Sequence, residues 1–181
     1  MTNKYWLYLT AVAFIAIGYA DFPLLAFHIK KMALATDTWI PVLYALAMGI
    51  DGIAALIFGK LFDRYGLSIM QLAAVISLFF APLVFLGNFT MVVIGVMLWG
   101  IGMGAQESIM RAGIAELSPA NKRASAYGIF STGFGFAWFL GSAAMGILYD
   151  INIVYLVLFS VLFQLFSMPF FFMIRHSVKP K

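Results

Sequence analysis

Three carboxylic acids stand where the chain is otherwise apolar. Asp21 lies in the run Tyr5 to Phe27, Asp51 in the run Trp39 to Phe62, and Glu107 in the run Thr90 to Ala115. A charge at the centre of a bilayer costs about 2.5–3.5 kcal/mol even on lenient insertion scales, so each acid needs a reason to be there. The chemistry open to such groups is proton binding, ion pairing, or capture of a solute in a water-filled cavity. At about 1.5 Å per residue, Asp21 falls roughly 24 Å along its run, Asp51 roughly 18 Å and Glu107 roughly 25 Å. Those depths are the outer third, the midplane and the inner third. Arg111 follows Glu107 by one turn, where it can neutralise that acid or snorkel to water. Asp51 has no basic residue within a turn, so it is expected to be paired across helices, protonated or exposed to water. Asp21 precedes Pro23 and suits a wet vestibule or the cap of a distorted helix. Gln106, Tyr19 and Tyr44 are further candidates to hydrogen-bond a solute, and His28 is expected in a solvated loop.

Other chemistries are excluded by what is missing. The chain has no cysteine and two histidines, with no His-Glu-x-x-His pattern. That leaves no thiol nucleophile, no disulfide and no metal-ligand set, so no catalytic residue, metal or cofactor is expected and the chain is not read as an enzyme. Its 181 residues are 64% apolar and 10% charged. An ordinary soluble domain is about 45–50% apolar and about 25% charged. With a mean hydropathy of +1.01, the chain cannot be a water-soluble enzyme, a nucleic-acid module or a disordered segment. The net charge of +4 does not point to nucleic acid, because the basic residues sit in loops between apolar runs.

The elements that must position the acids are membrane helices, each needing about 20 apolar residues. Six runs qualify: Tyr5 to Phe27, Trp39 to Phe62, Leu67 to Leu86, Thr90 to Ala115, Arg123 to Tyr149 and Ile151 to Ile174. The expectation is an all-α integral membrane protein with residues 1–181 as a single six-helix domain. Lys30, Lys31 and Asp37 close the first run, Gly59 to Gly66 the second, and Gly87-Asn88 the third. Ser118-Pro119 stops the fourth, since proline disfavours the helical conformation before it. Small residues at Gly18-Tyr19-Ala20 resemble a signal-peptide cleavage site, but the apolar run continues past them and is read as a span.

Lys4, Lys60, Arg64, Arg111, Lys122, Arg123, Arg175, Lys179 and Lys181 fall on one side of these spans, and only Lys30 and Lys31 on the other. The positive-inside rule then places both termini in the cytoplasm of a multi-pass cell-membrane protein. The sixth run, rich in phenylalanine from Phe159 to Phe172, suits lipid contact, with Gln71 and Gln164 the strongly polar residues of the third and sixth. The fifth, with Gly128, Gly133, Gly135, Gly141 and Gly146, suits close helix packing. Its small-residue face and the stripe Ala47, Asp51 and Ala55 are the expected contacts of a parallel homodimer.

The loop Gly59-Lys60-Leu61-Phe62-Asp63-Arg64-Tyr65-Gly66 resembles the G-x-L-x-D-R-x-G loop of the major facilitator superfamily. Gly59, Leu61, Asp63, Arg64 and Gly66 match it in type and spacing, between the second and third helices of a half. Pro119, Arg123, Ala124, Ala126 and Gly128 are similar to the family's next cytoplasmic loop. The resemblance covers all six runs. It implies one six-helix half of a transporter that works by alternating access, with a small-molecule substrate and proton coupling, as a symporter or antiporter. It also implies that the first and fourth helices line the cavity, the second and fifth meet the other half, and the third and sixth face lipid. Leu67 and Ser68 replace the basic residues that often follow this loop, which looks more like a C-terminal half. The glycine-proline pair associated with antiporters is missing from the fifth run. From the loop's own chemistry, Asp63 is expected to accept from exposed amides at a helix N-terminus, Arg64 to pair with an acid such as Glu107 or with lipid phosphate, and Gly59 and Gly66 to permit tight turns. A half needs an occupant for its other side: a second copy, or a complementary six-helix half. A membrane subunit that transports nothing by itself is the competing reading.

Overall fold

The computed structural model describes residues 1–175, which are helical with no strand among them. Helix α1 (Asn3–Gly18) starts at Thr2, whose side chain accepts from the Tyr5 amide. It is followed by α2 (Phe22–Lys31), α3 (Trp39–Tyr65), a 3-10 turn (Gly66–Ser68), α4 (Ile69–Ser77) and α5 (Phe80–Leu86). Then come α6 (Phe89–Leu117), a 3-10 turn (Ala120–Lys122), α7 (Arg123–Ile151) and α8 (Ile153–Arg175). Asn88 caps α6 by accepting from the Met91 amide at 3.1 Å.

Among the described residues, five helical stretches are long and apolar enough to cross a membrane, one fewer than the six expected. The difference lies in Trp39–Leu86, which forms one 48-residue stretch. The loop expected to end the second run is itself helical: α3 continues through Asp63 and Arg64 to Tyr65, and a 3-10 turn links it to α4. Gly66 alone departs, with φ 58°, a left-handed conformation that glycine adopts without strain. Gly59, expected in the turn, lies inside α3, where a Cβ would sit 3.1 Å from Ser108 Oγ on α6.

Helix α6 orders its neighbours through close glycine contacts. Gly100 and Gly104 lie against the Ala47 and Asp51 carbonyls of α3, so α3 runs parallel to α6. Gly95, Gly102 and Gly113 lie against Val84, Ser77 and Leu67, so α4 and α5 run the opposite way. The chain therefore doubles back at Gly66. On the other side, Gly18 of α1 packs against Ser160 of α8, and Gly141 of α7 against the Ile17 backbone.

Two expected helices are broken. The first is interrupted at Tyr19–Asp21 and the third at Leu78–Phe79. Tyr19 and Leu78 each stand four residues before a proline, Pro23 and Pro82. A proline ring crowds the carbonyl four residues back and brings no N–H to bond it. The second half of the third run keeps helical geometry because Leu83 N–H still bonds the Phe79 carbonyl.

The basic residues separate between the ends of the bundle. Tyr5 O–H donates to the Ala126 carbonyl at 2.8 Å, Tyr8 O–H to that of Met110 at 3.1 Å, and Tyr127 O–H to that of Arg111 at 3.0 Å. These bonds gather the start of α1, the end of α6 and the start of α7 at one end. Lys30 and Lys31 lie at the other, where Lys30 pairs with Asp37 at 2.9 Å. Lys179 and Lys181 lie outside the described residues.

Two expectations about exposure need correction, the stripe through Ala47 and the setting of His28. Ala47 is fully buried against α6, and Ala137 is 6% exposed, so neither lies on an outer surface. The outward stripe of α3 is Ala45, Gly49, Gly52 and Leu56, and that of α7 includes Gly128, Gly135 and Phe139. In helix α8, Ser160, Gln164 and Ser167 form a buried polar line. His28 is no solvated loop residue; it is 2% exposed, with Nδ1 3.0 Å from the Tyr149 hydroxyl.

Candidate functional site

The break in the first helix is the structural centre of the site. Interrupting a helix leaves carbonyls without partners, and in an apolar bundle each must be satisfied by another group. Ser160 Oγ donates to the Gly18 carbonyl at 2.6 Å, with Gln164 Nε2 at 3.5 Å. Trp99 Nε1 donates to the Ala20 carbonyl at 2.8 Å. Tyr19 O–H donates to the Trp99 carbonyl. Helices α6 and α8 thus hold the break in place from two sides.

Asp21 occupies the N-cap position of α2, but its side chain caps no amide there. Its carboxylate instead accepts from Trp138 Nε1 and Ser142 Oγ, both on α7. The two donors are four residues apart and so lie on one helix face. They orient the carboxylate without cancelling its charge.

Asp21, Asp51 and Glu107 all line one open cavity of about 680 Å³, bounded by α2, α3, α6 and α7. Its aromatic wall is Phe22, Tyr44, Trp99 and Trp138, with Met48 and Met103 beside it. The Phe22 ring lies 4.7 Å from Tyr44 and 5.7 Å from Trp99, centroid to centroid. A second pocket of about 220 Å³ shares Met103, Glu107 and Trp138 with the first and adds Gln106 and Arg111. The volume of the larger cavity falls in the range of about 300–1,000 Å³ usual for small-molecule sites.

The acids expected at three depths on three helices therefore face one space. Asp51 lies against Gly104 of α6, and its Oδ1 is buried with no hydrogen-bond partner. Only a glycine lets the α3 backbone come this close: a Cβ at position 104 would stand 2.2 Å from the Asp51 carbonyl. Gln106 is 4% exposed, and neither atom of its amide has a partner. Unpartnered buried polar groups cost about 1–3 kcal/mol each, which structures retain where a ligand or water completes them.

Several expected contacts do not form among the described residues. Glu107 and Arg111 make no ion pair, although one turn separates them. Arg64 does not reach Glu107 either, because Ser108 is level with Gly59 and Arg64 lies more than a turn beyond. Asp63 and Arg64 are exposed at the end of α3 and line a separate pocket of about 520 Å³ with Ile57, Lys60 and Leu61. No amide is bonded by Asp63. Tyr19 is fully buried, with its hydroxyl engaged by Trp99, so it is not placed to meet a solute, whereas Tyr44 is. Among the described residues, no three of His, Asp or Glu gather as a metal site.

Sequence reasoning missed Phe22, Trp99 and Trp138 of the aromatic wall, and Ser142. Trp99 and Trp138 carry a readable signal, a polar N–H inside an apolar run that must find an acceptor. Ser142 carries none, since a serine in a small-residue helix reads as packing.

The sequence profile of the Major Facilitator Superfamily matches residues 5–181. Uncharacterized proteins of Mycobacterium tuberculosis and Mycobacterium bovis are each 38% identical to the chain over 172 residues. The alignment covers 95% of this chain and 42% of each relative, so the chain spans about two-fifths of the length of the curated relatives it matches. The match takes in both the exposed end of α3 and the helices that enclose the acidic cavity. With its profile matched from the first helix to the last residue, this multi-pass membrane protein belongs to the major facilitator superfamily, a family of membrane transporters.

Proposed function

We propose that the chain is one six-helix half of a solute transporter that works by alternating access, with protons as the coupling ion. The observation that carries the reading is the convergence of Asp21, Asp51 and Glu107 on one cavity. Carboxylates within a membrane mark proton or solute pathways. Asp51 and Glu107 have no ion-pair partner among the described residues, so uptake of a proton by either changes the charge of the cavity. In this reading Asp51 titrates between inward- and outward-facing states, and Glu107 and Arg111 lie on the path towards the cytoplasmic mouth. The doubling back at Gly66 supports six passes, with both termini on the cytoplasmic side where Lys4, Lys60, Arg64, Lys122 and Arg123 collect. Asp63 and Arg64, exposed on that side, then act as a latch for one state.

A second reading is supported by the open faces of α3 and α7. A Cβ at Gly49, Gly52, Gly128, Gly135 or Gly146 would meet nothing within 4 Å. The half then needs a companion, either a complementary half or a second copy in parallel orientation, before it can rock about the cavity.

The test is uptake driven by a proton gradient in proteoliposomes. Asp51→Asn should insert and fold normally yet abolish proton-driven uptake. Unchanged uptake with unchanged pH dependence would overturn the role of Asp51. Alternating access is read separately from spin-label distances across the two cavity mouths. Asp63→Asn should shift the balance between two distance populations, and identical distributions would count against the latch.

A further inference from the structure

The larger cavity has a composition that selects by charge. Three of its lining residues are acids, and none is lysine, arginine or histidine. The one basic side chain in the lining of these two pockets is Arg111, which lines only the smaller one. An anionic solute would meet three carboxylates with no compensating cation. A sugar would find few neutral hydrogen-bonding side chains, since Tyr44 and the two indoles are the only ones on the larger wall.

The indoles narrow the choice further. Trp99 Nε1 is engaged by the Ala20 carbonyl and Trp138 Nε1 by Asp21. What these residues offer a ligand is ring surface, whose negative face attracts cations, most strongly for tryptophan. Phe22 and Tyr44 add two more rings, tilted at 54° against one another. The Asp21 carboxyl, fixed by Trp138 and Ser142, stands beside this wall. Asp51 Oδ1 is free of any partner. The unpartnered amide of Gln106, 4% exposed, lines the adjoining pocket and supplies an independent polar contact for a ligand that extends towards α7.

We infer that this cavity takes a monovalent organic cation with an aromatic or alkyl body, the charge lying between Asp51 and Glu107 and the body against Phe22, Tyr44, Trp99 and Trp138. The inference rests on the transporter reading and names its substrate class. Both parts of such a ligand are matched: the carboxylates attract the charge, and the rings and methionines bury the body.

A pair of probes of nearly the same shape and opposite charge tests it. Tetraphenylphosphonium and tetraphenylborate are each equilibrated by dialysis with the full chain in lipid nanodiscs, and the uptake of empty nanodiscs is subtracted. Saturable binding of the phosphonium and none of the borate is expected. Asp51→Asn and Glu107→Gln should each weaken phosphonium binding by about tenfold or more, while a phenylalanine in place of Trp138 keeps a ring and costs less. Saturable borate binding, absence of saturable phosphonium binding, or unchanged affinity in both acid variants would overturn the inference. The probe pair on the unsubstituted chain decides the matter even where a variant fails to fold. Spin-label distances across the cavity mouths, measured in the same nanodiscs, separate the two levels. Two interconverting populations without phosphonium binding would leave the transporter standing and remove the cation.

Discussion

Trp138 joins two roles through one side chain. Its ring lines both pockets, while its N–H donates to Asp21 and ties the broken first helix to α7. Removing the donor and keeping the ring separates these roles. A carboxylate that loses a hydrogen bond in a partly buried site costs about 1–3 kcal/mol. Trp138→Phe should therefore lower the unfolding midpoint in detergent by several degrees, and Ser142→Ala should do the same through the other carboxylate oxygen. Midpoints equal to that of the unsubstituted chain in both variants would show that Asp21 does not depend on α7. Of the residues in this site, the acids and Gln106 were legible because a charge or amide in an apolar run is costly and stands out. Their partners were not. Glu107 and Arg111 are one turn apart, yet the helix face they share opens on a cavity rather than on each other, and spacing along a helix says nothing about what lies beside it. His28 was misread for the same reason: its position beside Lys30 and Lys31 suggests water, while packing puts it under Tyr149 and Phe85.

Among the elements, α3 shows how glycine sorts the two sides of one helix. It meets α6 where Gly100 and Gly104 admit its backbone, and it turns Gly49 and Gly52 to open space. A Cβ on Gly104 would collide with the Asp51 carbonyl and stand 2.8 Å from the Ala55 amide, both backbone atoms that no rotamer change can move. Overpacking of this sort costs about 1–3 kcal/mol. Gly104→Ala should lower the unfolding midpoint and disturb the cavity through Asp51, while Gly52→Ala should leave the isolated chain unchanged or slightly more stable, since alanine favours the helix. Thermal unfolding of the two variants side by side checks this, and equal midpoints would contradict the close approach of α3 and α6. The helices themselves were legible from length and apolarity. Their interruptions were only half legible: Pro23 and Pro82 announce breaks, but Pro169 lies inside a continuous α8. The loop from Gly59 to Gly66 reads as a turn because its charges end the apolar run, whereas its backbone stays helical until Gly66.

At the scale of the whole molecule, the faces left open decide what the bundle can assemble with. Helix α3 presents Ala45, Gly49, Gly52 and Leu56 in one stripe, and α7 presents Gly128, Gly135 and Phe139 in another. Small residues let backbones approach closely in lipid, where van der Waals packing drives association. Helix α8 presents Leu162, Phe166 and Phe172, large side chains suited to lipid tails. A chain whose basic residues collect at one end inserts in one orientation, so two copies would share it and be related by an axis along the membrane normal. The expected outcome is a parallel dimer through α3 and α7. The chain has no cysteine, so single cysteines report contacts directly. Cysteine at Gly52 or Gly135 should crosslink to its twin in membranes, and cysteine at Phe166 should not. Cysteine at Ala47 or Ala137 should stay silent as well, because those positions face α6 and the bundle interior rather than a neighbour. Crosslinking confined to Phe166 would overturn the assignment of faces. Cysteines at Gly52 and Gly135 that react with a lipid-soluble maleimide yet never join their twins would show that the companion of these stripes is a complementary half and not a second copy.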